Sequence, residues 1–548
     1  MRQAKKPAID KEQGVAVSSR IWPWVAIIVV IIAAAVIRGR LLSVPLERDE
    51  GEYAYIAQQM LNGVPPYVSA YSMKLPGIYV VYALIMTLFG QTHTGIHLGL
   101  LIFNAATIFV VFLLAKKLFG SIAAVAAGGA YSVLSMTAQV TGLWANAEHF
   151  VVLPALVGLL LICNSNGKIG YVRLLIAGLL FGLAFIIKQH GIFFPMFGAL
   201  YLLYSGLRNK PIKWIKVIVA QIVFAAGAVT PFVLVCFFFW RNGTFDKFWF
   251  WTFTYAHEYA TSVSLSDAWK IFNEQIHPII TEAFFIWLLA IAGLFAVTIV
   301  KRYRQWAVFA AGLLVFSFLA VCPGFYFREH YFIFLLPVVA ILAGAGLAAI
   351  DVLFQKIMPV ILRVFIIGAI GLGAAGYSLY QQRTYLFYNP PETVCRIVYG
   401  ANPFPESLRI AEFIRNNTGP NDTVAVVGSE PQVYFYSGRR SATSYIYMYP
   451  LMEPNSSAKG MQQEMISQIE AAKPKIMVFV SIDVSWLNRP ASVQDIFGWF
   501  KLYSRSYYDL TGIIEIPVAS STVYCWNNDA KNRTPASPYW LAVFKRRQ

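Results

Sequence analysis

Apolar runs close to membrane-spanning length recur along most of the 548-residue chain, separated by short polar breaks. Runs of roughly 20 apolar residues predict transmembrane helices, because only that length of helix crosses a bilayer core. The first, Ile21 to Ile37, follows a basic segment carrying Arg2, Lys5, Lys6, Lys11 and Arg20. It exceeds the roughly 7–15 residues of a cleaved signal's apolar core, so it reads as an uncleaved first helix with a cytoplasmic N-terminus. Further spans are predicted near 94–115, 119–138, 147–163, 171–187, 190–207, 214–240, 279–300, 305–322, 329–350 and 357–380, about eleven in all. The segment LPGIYVVYALIMTLFG (75–90) is apolar, but at roughly 15 residues it is short for a span.

Charge resolves that segment. With 75–90 read as interfacial or re-entrant, Lys116/Lys117, Lys168/Arg173, Arg208/Lys210/Lys213/Lys216, Lys301/Arg302/Arg304 and Lys356/Arg363 fall on the cytoplasmic side. The outer loops then keep mostly isolated cations: Arg38, Arg40, Arg48, Lys74, Lys188, Arg241, Lys247, Lys270 and Arg328. Counting it as a span inverts this distribution, against the positive-inside rule. Composition agrees: 58% of residues are hydrophobic and 13% charged, where soluble proteins carry about 25%. The net charge of +17 therefore reports topology and is no argument for nucleic acid.

The chain divides into a cytoplasmic basic N-terminus (1–20), a helical membrane domain (21–380) whose first extracytoplasmic loop is 38–93, and an extracytoplasmic region (381–548). In the last, SLRIAEFIRNNTGPND reads as a helix and turn, TVAVVGS as a buried strand, QQEMISQIEAAKPK as a helix and IMVFVS as a strand. Helix–strand alternation predicts a small α/β domain. VVGSEP lacks the GxGxxG spacing of a dinucleotide site. Cys395 and Cys525 lie in this region and could pair on an oxidising side, whereas Cys163, Cys236 and Cys322 sit in or beside apolar runs.

The opening loop concentrates the chemistry: RDEGEYAYIAQQMLNGVPPYVSAYSMKLPG places Arg48, Asp49, Glu50 and Glu52 beside the membrane, with Lys74 downstream. Tyr53, Ile56, Ala57 and Met60 recur at helical spacing, predicting a short surface helix. A purely structural account exists, since Asp49-x-x-Glu52 has capping-box spacing. The alternative is chemical. A carboxylate above a bilayer can act as general base toward a hydroxyl, and a nearby lysine can neutralise a lipid-linked phosphate.

Asp-Glu followed by Tyr-Ala, then Leu-Asn-Gly-x-Pro-Pro-Tyr and Lys-x-Pro, resembles the first outer loop of the GT-C glycosyltransferases, which include the protein O-mannosyltransferases and lipid A aminoarabinose transferases. The likeness continues in GLWANAEHF (142–150), AGLLFGLAFIIKQHG (177–191) and FYFREHYFIFLLP (325–337). The resemblance implies a helical GT-C-like membrane domain. It also implies inverting transfer of a sugar from a polyprenyl monophosphate to an acceptor hydroxyl, outside the cytoplasm at the plasma (inner) membrane. Carried onto this chain, it makes Asp49 the general base with Glu50 beside it. Lys74, Lys188 and Arg328 become donor-phosphate contacts, and Glu148 and His330 contacts to acceptor or sugar. Two departures stand out. The common Lys-Pro-Pro is Lys74-Leu75-Pro76 here, and His93 and His97 occupy the region where the family often carries an arginine.

Each residue also has a plainer reading: Lys188 could snorkel from a helix end, Glu148 could mark a helix start, and Arg328 could be a loop charge. The aromatic loop FDKFWFWTFTYAHEY (245–259) suits an interfacial belt as well as a lipid or sugar site. His257-Glu258 alone is too little for a metal centre, so no metal or other cofactor is required by this reading. The expected partners are the lipid bilayer, a polyprenyl-phosphate sugar and a protein, lipid or glycan acceptor. The competing functions are a lipid or solute transporter, disfavoured because ionisable groups avoid span centres, and a scaffold for the outer domain.

Overall fold

A computed structural model describes residues 11–547 except 164–168, 209, 262 and 518–519, with side chains from Ile21 onward. The basic segment 1–20 therefore lies outside the described side chains. The first apolar run forms helix α1 (Lys11–Arg40). The opening loop then folds into α2 (Arg48–Leu61) and α3 (Gly77–Phe89). With 13 residues, α3 is about 20 Å long at 1.5 Å per residue, short of the roughly 30 Å hydrocarbon core.

The apolar segments that follow become α4 (His93–Phe119), α5 (Ser121–Leu134), α6 (Ala147–Ile162), α7 (Tyr171–Ile187), α8 (Phe193–Arg208) and α9 (Trp214–Arg241). Beyond them come a pair bent by 99°, Leu265–Glu282 and Phe284–Ile299, then Ala307–Val321, Leu336–Phe354 and Val360–Gln381. Every predicted segment holds a helix. By length and composition, however, seven described helices can cross a membrane, or eight with the bent pair, against the expected eleven or so. One of the three short segments among the predicted spans, Ser121–Leu134, has a local cause. The segment predicted as 119–138 stops at Leu134 because the chain turns into an irregular stretch that receives a buried cation. Arg38 donates there to Gly142 O at 2.9 Å and Ser135 O at 2.6 Å.

Leu336–Phe354 is the central helix, with 78% of its apolar window buried, while Val360–Gln381, at 11%, lies on the outside. Exposed Ile215, Ile361 and Leu372 lie on outward-facing helix surfaces, where lipid rather than water is the compatible solvent.

The C-terminal region forms one mixed sheet of β1 (Thr423–Val427), β2 (Arg440–Ser441), β3 (Ile476–Ser481), β4 (Tyr508–Glu515), β5 (Val523–Trp526) and β6 (Trp540–Arg546). The order is β2-β1-β3-β6-β4-β5. β1 runs parallel to β2 and β3, and the remaining pairs are antiparallel. Helices Phe404–Asn417 and Ala458–Ala472 match the two read from sequence. Cys395 and Cys525 are both free thiols, so the pairing that was open from sequence is not made here.

The sheet domain docks directly on the opening loop. Gly51 of α2 lies so close to the helix Gln432–Ser437 that a Cβ would sit 2.6 Å from Gln432 N. Tyr436 OH accepts from Leu46 N at 2.8 Å. A second close approach pins α3, since a Cβ on Gly77 would lie 2.5 Å from Ile186 O of α7. These contacts bring the loop, the helix ends and the sheet domain around one space.

Candidate active site

The first turn of α2 sets the geometry. Its N-cap is Glu47: Glu50 N donates to Glu47 Oε1 at 2.9 Å and Glu47 N donates to Glu50 Oε2 at 3.1 Å. The capping box is therefore Glu47–Glu50, two residues earlier than the Asp49–Glu52 box read from spacing. The shift frees Asp49 and Glu52 from capping, and both line a cavity of about 610 Å³ between the helix ends and the sheet domain. Lys74, Arg328, His330, Tyr331, Trp251, Tyr255, Tyr259, Tyr447 and Tyr449 line it too.

Asp49 is held by two short bonds. Lys74 Nζ donates to Oδ2 at 3.0 Å and Tyr447 OH donates to Oδ1 at 2.7 Å. The Tyr53 hydroxyl lies further off, at 3.4 Å from Oδ2. Burial alone would raise the Asp49 pKa. Lys74 and the Tyr447 bond outweigh it, holding the carboxyl well below the usual range and keeping it an anion. Reciprocally, although burial opposes its charge, Lys74 beside Asp49 and Glu52 is held above the usual lysine range. Glu52 behaves oppositely: burial pushes its carboxyl up to about 7 despite Lys74. Burial, with the nearby Lys188 and Lys74 ammoniums, holds His330 well below the usual histidine range, so its ring is neutral.

Glu50, Lys188 and Glu148 stand apart from this group. Glu50 is fully buried and does not line the cavity. It meets His97 Nε2 at 2.9 Å and accepts from Ala145 N, tying α2 to α4 and to the turn before α6. Lys188 and Glu148 do not line the cavity either. They form a buried ion pair behind its wall. The Lys188 ammonium lies 4.3 Å over the Tyr331 ring, and His330 Nε2 stands 3.9 Å from Glu148 Oε1. Lys188 is thus buried rather than snorkelling. Arg328 stays on the wall, its guanidinium 5.5 Å over Tyr326. Among the described residues, no group of three or more His, Cys, Asp or Glu is arranged to hold a metal.

Sequence reading passed over Arg48 as a site-builder, and Tyr447 and Tyr449 altogether. Arg48 donates to Ser429 O at 2.5 Å, Glu430 Oε1 at 2.8 Å, Asn402 Oδ1 at 2.9 Å and Tyr449 OH at 3.0 Å. Its guanidinium fork satisfies four acceptors of the sheet domain at once. The available signal was the alternation in SYIYMYP (444–450). Tyr445 reaches Glu464, Tyr447 reaches Asp49 and Tyr449 meets Arg48.

With this geometry in view, the chain can be set beside known proteins. Residues 74–235 match the family of dolichyl-phosphate-mannose-protein mannosyltransferases. The fold is similar to ArnT from Cupriavidus metallidurans bound to undecaprenyl phosphate, with a TM-score of 0.59, 16% identity, and 95% of this chain and 98% of that one covered. It is also similar to the archaeal oligosaccharyltransferase AglB from Archaeoglobus fulgidus in complex with an inhibitory peptide and a dolichol-phosphate. There the TM-score is 0.50, the identity 12%, and the coverage 93% and 75%. No curated protein matches the chain as a sequence relative. The chain is a helical membrane protein with a GT-C-like fold, as the likeness of its opening loop implied.

Proposed function

We propose that the protein transfers a sugar from a polyprenyl-phosphate donor to a hydroxyl of a protein, lipid or glycan acceptor, with inversion at the anomeric carbon. The observation that carries this reading is the Asp49–Lys74 pair on the wall of a 610 Å³ cavity at the ends of apolar helices, with Arg328 on the same wall. The acceptor oxygen attacks the anomeric carbon as the bond to the donor phosphate breaks, and Asp49 receives the acceptor's proton. The departing phosphate monoester gains charge, which Lys74 and Arg328 neutralise. Glu50, Lys188 and Glu148 support this wall from behind. The reaction as written needs no dissolved cofactor, and full activity in chelator checks that.

The cavity side is taken as extracytoplasmic. Lys116/Lys117, Arg302/Arg304 and Lys356/Arg363 lie at the opposite helix ends, where the positive-inside rule expects the cytoplasm. The reading is also supported by the lipid phosphates named with ArnT and AglB.

The test uses purified protein in lipid with a panel of polyprenyl-phosphate sugars. One donor should be consumed by wild type, and Asp49→Asn should lose about 10²–10⁴-fold in rate, the usual share of general-base catalysis. An Asp49→Asn protein that is folded and fully active would overturn the assignment, and consumption of none of the panel would overturn the donor class.

A further inference from the structure

Asp49 belongs to the membrane domain's first loop, yet one of its two short bonds comes from the sheet domain. Tyr447 lies 398 positions along the chain, and its hydroxyl donates to Asp49 Oδ1 at 2.7 Å. The contact is built. Tyr445 and Tyr449, two residues to either side, are anchored by Glu464 Oε2 at 2.7 Å and by Arg48 Nη1 at 3.0 Å. Tyr449 OH donates onward to Val484 O at 2.8 Å, and the backbone N of Met448 donates to Ser429 Oγ at 2.8 Å. The Tyr447 and Tyr449 rings pack edge to face at 4.8 Å. Arg48, next to Asp49, grips the same domain through Ser429, Glu430 and Asn402. The carboxylate and the hydroxyl are thus each held in place by neighbours on both sides.

We propose that Tyr447 is a positioning residue for the reaction: its hydroxyl orients the Asp49 carboxylate, so that the outer domain completes the catalytic site. The inference rests on Asp49 being the base. Lys74 holds one carboxylate oxygen and Tyr447 the other, which fixes the carboxylate plane while leaving lone pairs for the incoming hydroxyl. Without Tyr447 the carboxylate can pivot about the Lys74 contact, and small misplacements of a reacting group carry large rate penalties.

Tyr447→Phe in the full-length protein tests this. Its kcat should fall about 10–100-fold, with donor and acceptor KM within about twofold of wild type. In an Asp49→Asn background the same change should cost nothing further, because the group it orients is gone. Tyr508→Phe serves as the structural control, since it removes a buried hydroxyl bond of the same domain, from Tyr508 OH to Pro474 O at 2.8 Å, away from the cavity. That variant should lose thermal stability and keep kcat. Unchanged kcat in Tyr447→Phe, with Asp49→Asn inactive, refutes the proposal and leaves Asp49 as base. Full activity in Asp49→Asn removes the base itself. Equal losses from Tyr447→Phe in both backgrounds, or a loss matched by Tyr508→Phe, would make Tyr447 a docking residue only.

Discussion

Lys188 was expected to meet a donor phosphate, and the structure instead pairs it with Glu148 behind the cavity wall. Replacing Lys188 with Met keeps most of the side-chain volume and removes the ammonium. Glu148 is then left with its side chain fully buried, and one of its oxygens already lacks a hydrogen-bond partner among the described residues. Stranding a buried carboxylate in this way costs about 3–5 kcal/mol. Lys188→Met/Glu148→Gln removes both charges and leaves only a neutral amide, so it should recover most of that loss. The coupling between the two sites should be about 2 kcal/mol or more.

His330 adds a pH signature to this comparison. Lys188 is one reason its pKa is depressed, and its ring lies 3.9 Å from Glu148. In Lys188→Met, protonation of His330 becomes easier and supplies a substitute cation. A histidine whose folded-state pKa rises contributes stability at low pH that disappears as pH climbs through that value. The Lys188→Met deficit should therefore be smaller near pH 5.5 than near pH 7.5. The assay is the unfolding midpoint of wild type, both single variants and the double variant in one detergent. A Lys188→Met protein as stable as wild type, with donor KM raised more than about tenfold, would refute the structural pair and return Lys188 to the phosphate site.

Other outcomes follow from the same geometry. Because burial pushes Glu52 up from 4.5 to about 7, the folded protein holds that proton more tightly than the unfolded chain. Wild type should then lose up to about 3 kcal/mol between pH 4.5 and 7, and Glu52→Gln should flatten that slope in a melting series. Ionised Glu52 also repels a phosphate, so donor affinity should weaken as pH rises through about 7 in wild type and not in Glu52→Gln. Arg48→Lys keeps the charge and loses the fork that reaches Ser429, Glu430, Asn402 and Tyr449. It should cost about 2–4 kcal/mol and speed proteolysis between the two domains, and an unaltered cleavage pattern would count against docking through Arg48. For topology, single cysteines at exposed Asn62 and Lys459 should label from the extracytoplasmic side and one at exposed Lys356 only from the cytoplasm. The reverse pattern would invert the threading.

The apolar segments, the helix carrying Tyr53 and Ile56 (though it is buried under the sheet domain and not on a surface), and the alternation of β1, β3 and their helices were legible in one dimension. Each is set by burial of nearby residues at a helical or strand period, and neighbours in sequence suffice to reveal that. The crowding of Asp49, Glu52 and Lys74 into one loop was equally visible, and it sufficed to suggest phosphate and hydroxyl chemistry. Spacing alone could not say which acid caps α2, because Asp49–Glu52 and Glu47–Glu50 have the same separation. The choice depended on where the chain enters the helix, and Glu50 was claimed by His97 and Ala145 from other segments.

Charge partners were decided only by the tertiary structure. Glu148 and Lys188 lie 40 residues apart, and Asp49 and Tyr447 398 apart. A buried charge must find its counter-ion or hydrogen-bond donor wherever packing brings one within about 3 Å, and no local period records that meeting. Composition and pattern thus determined a membrane-embedded helical body, an α/β outer domain and a reactive loop between them. Packing of the outer domain against that loop determined which acid faces the cavity, which cation it holds and which tyrosine completes it.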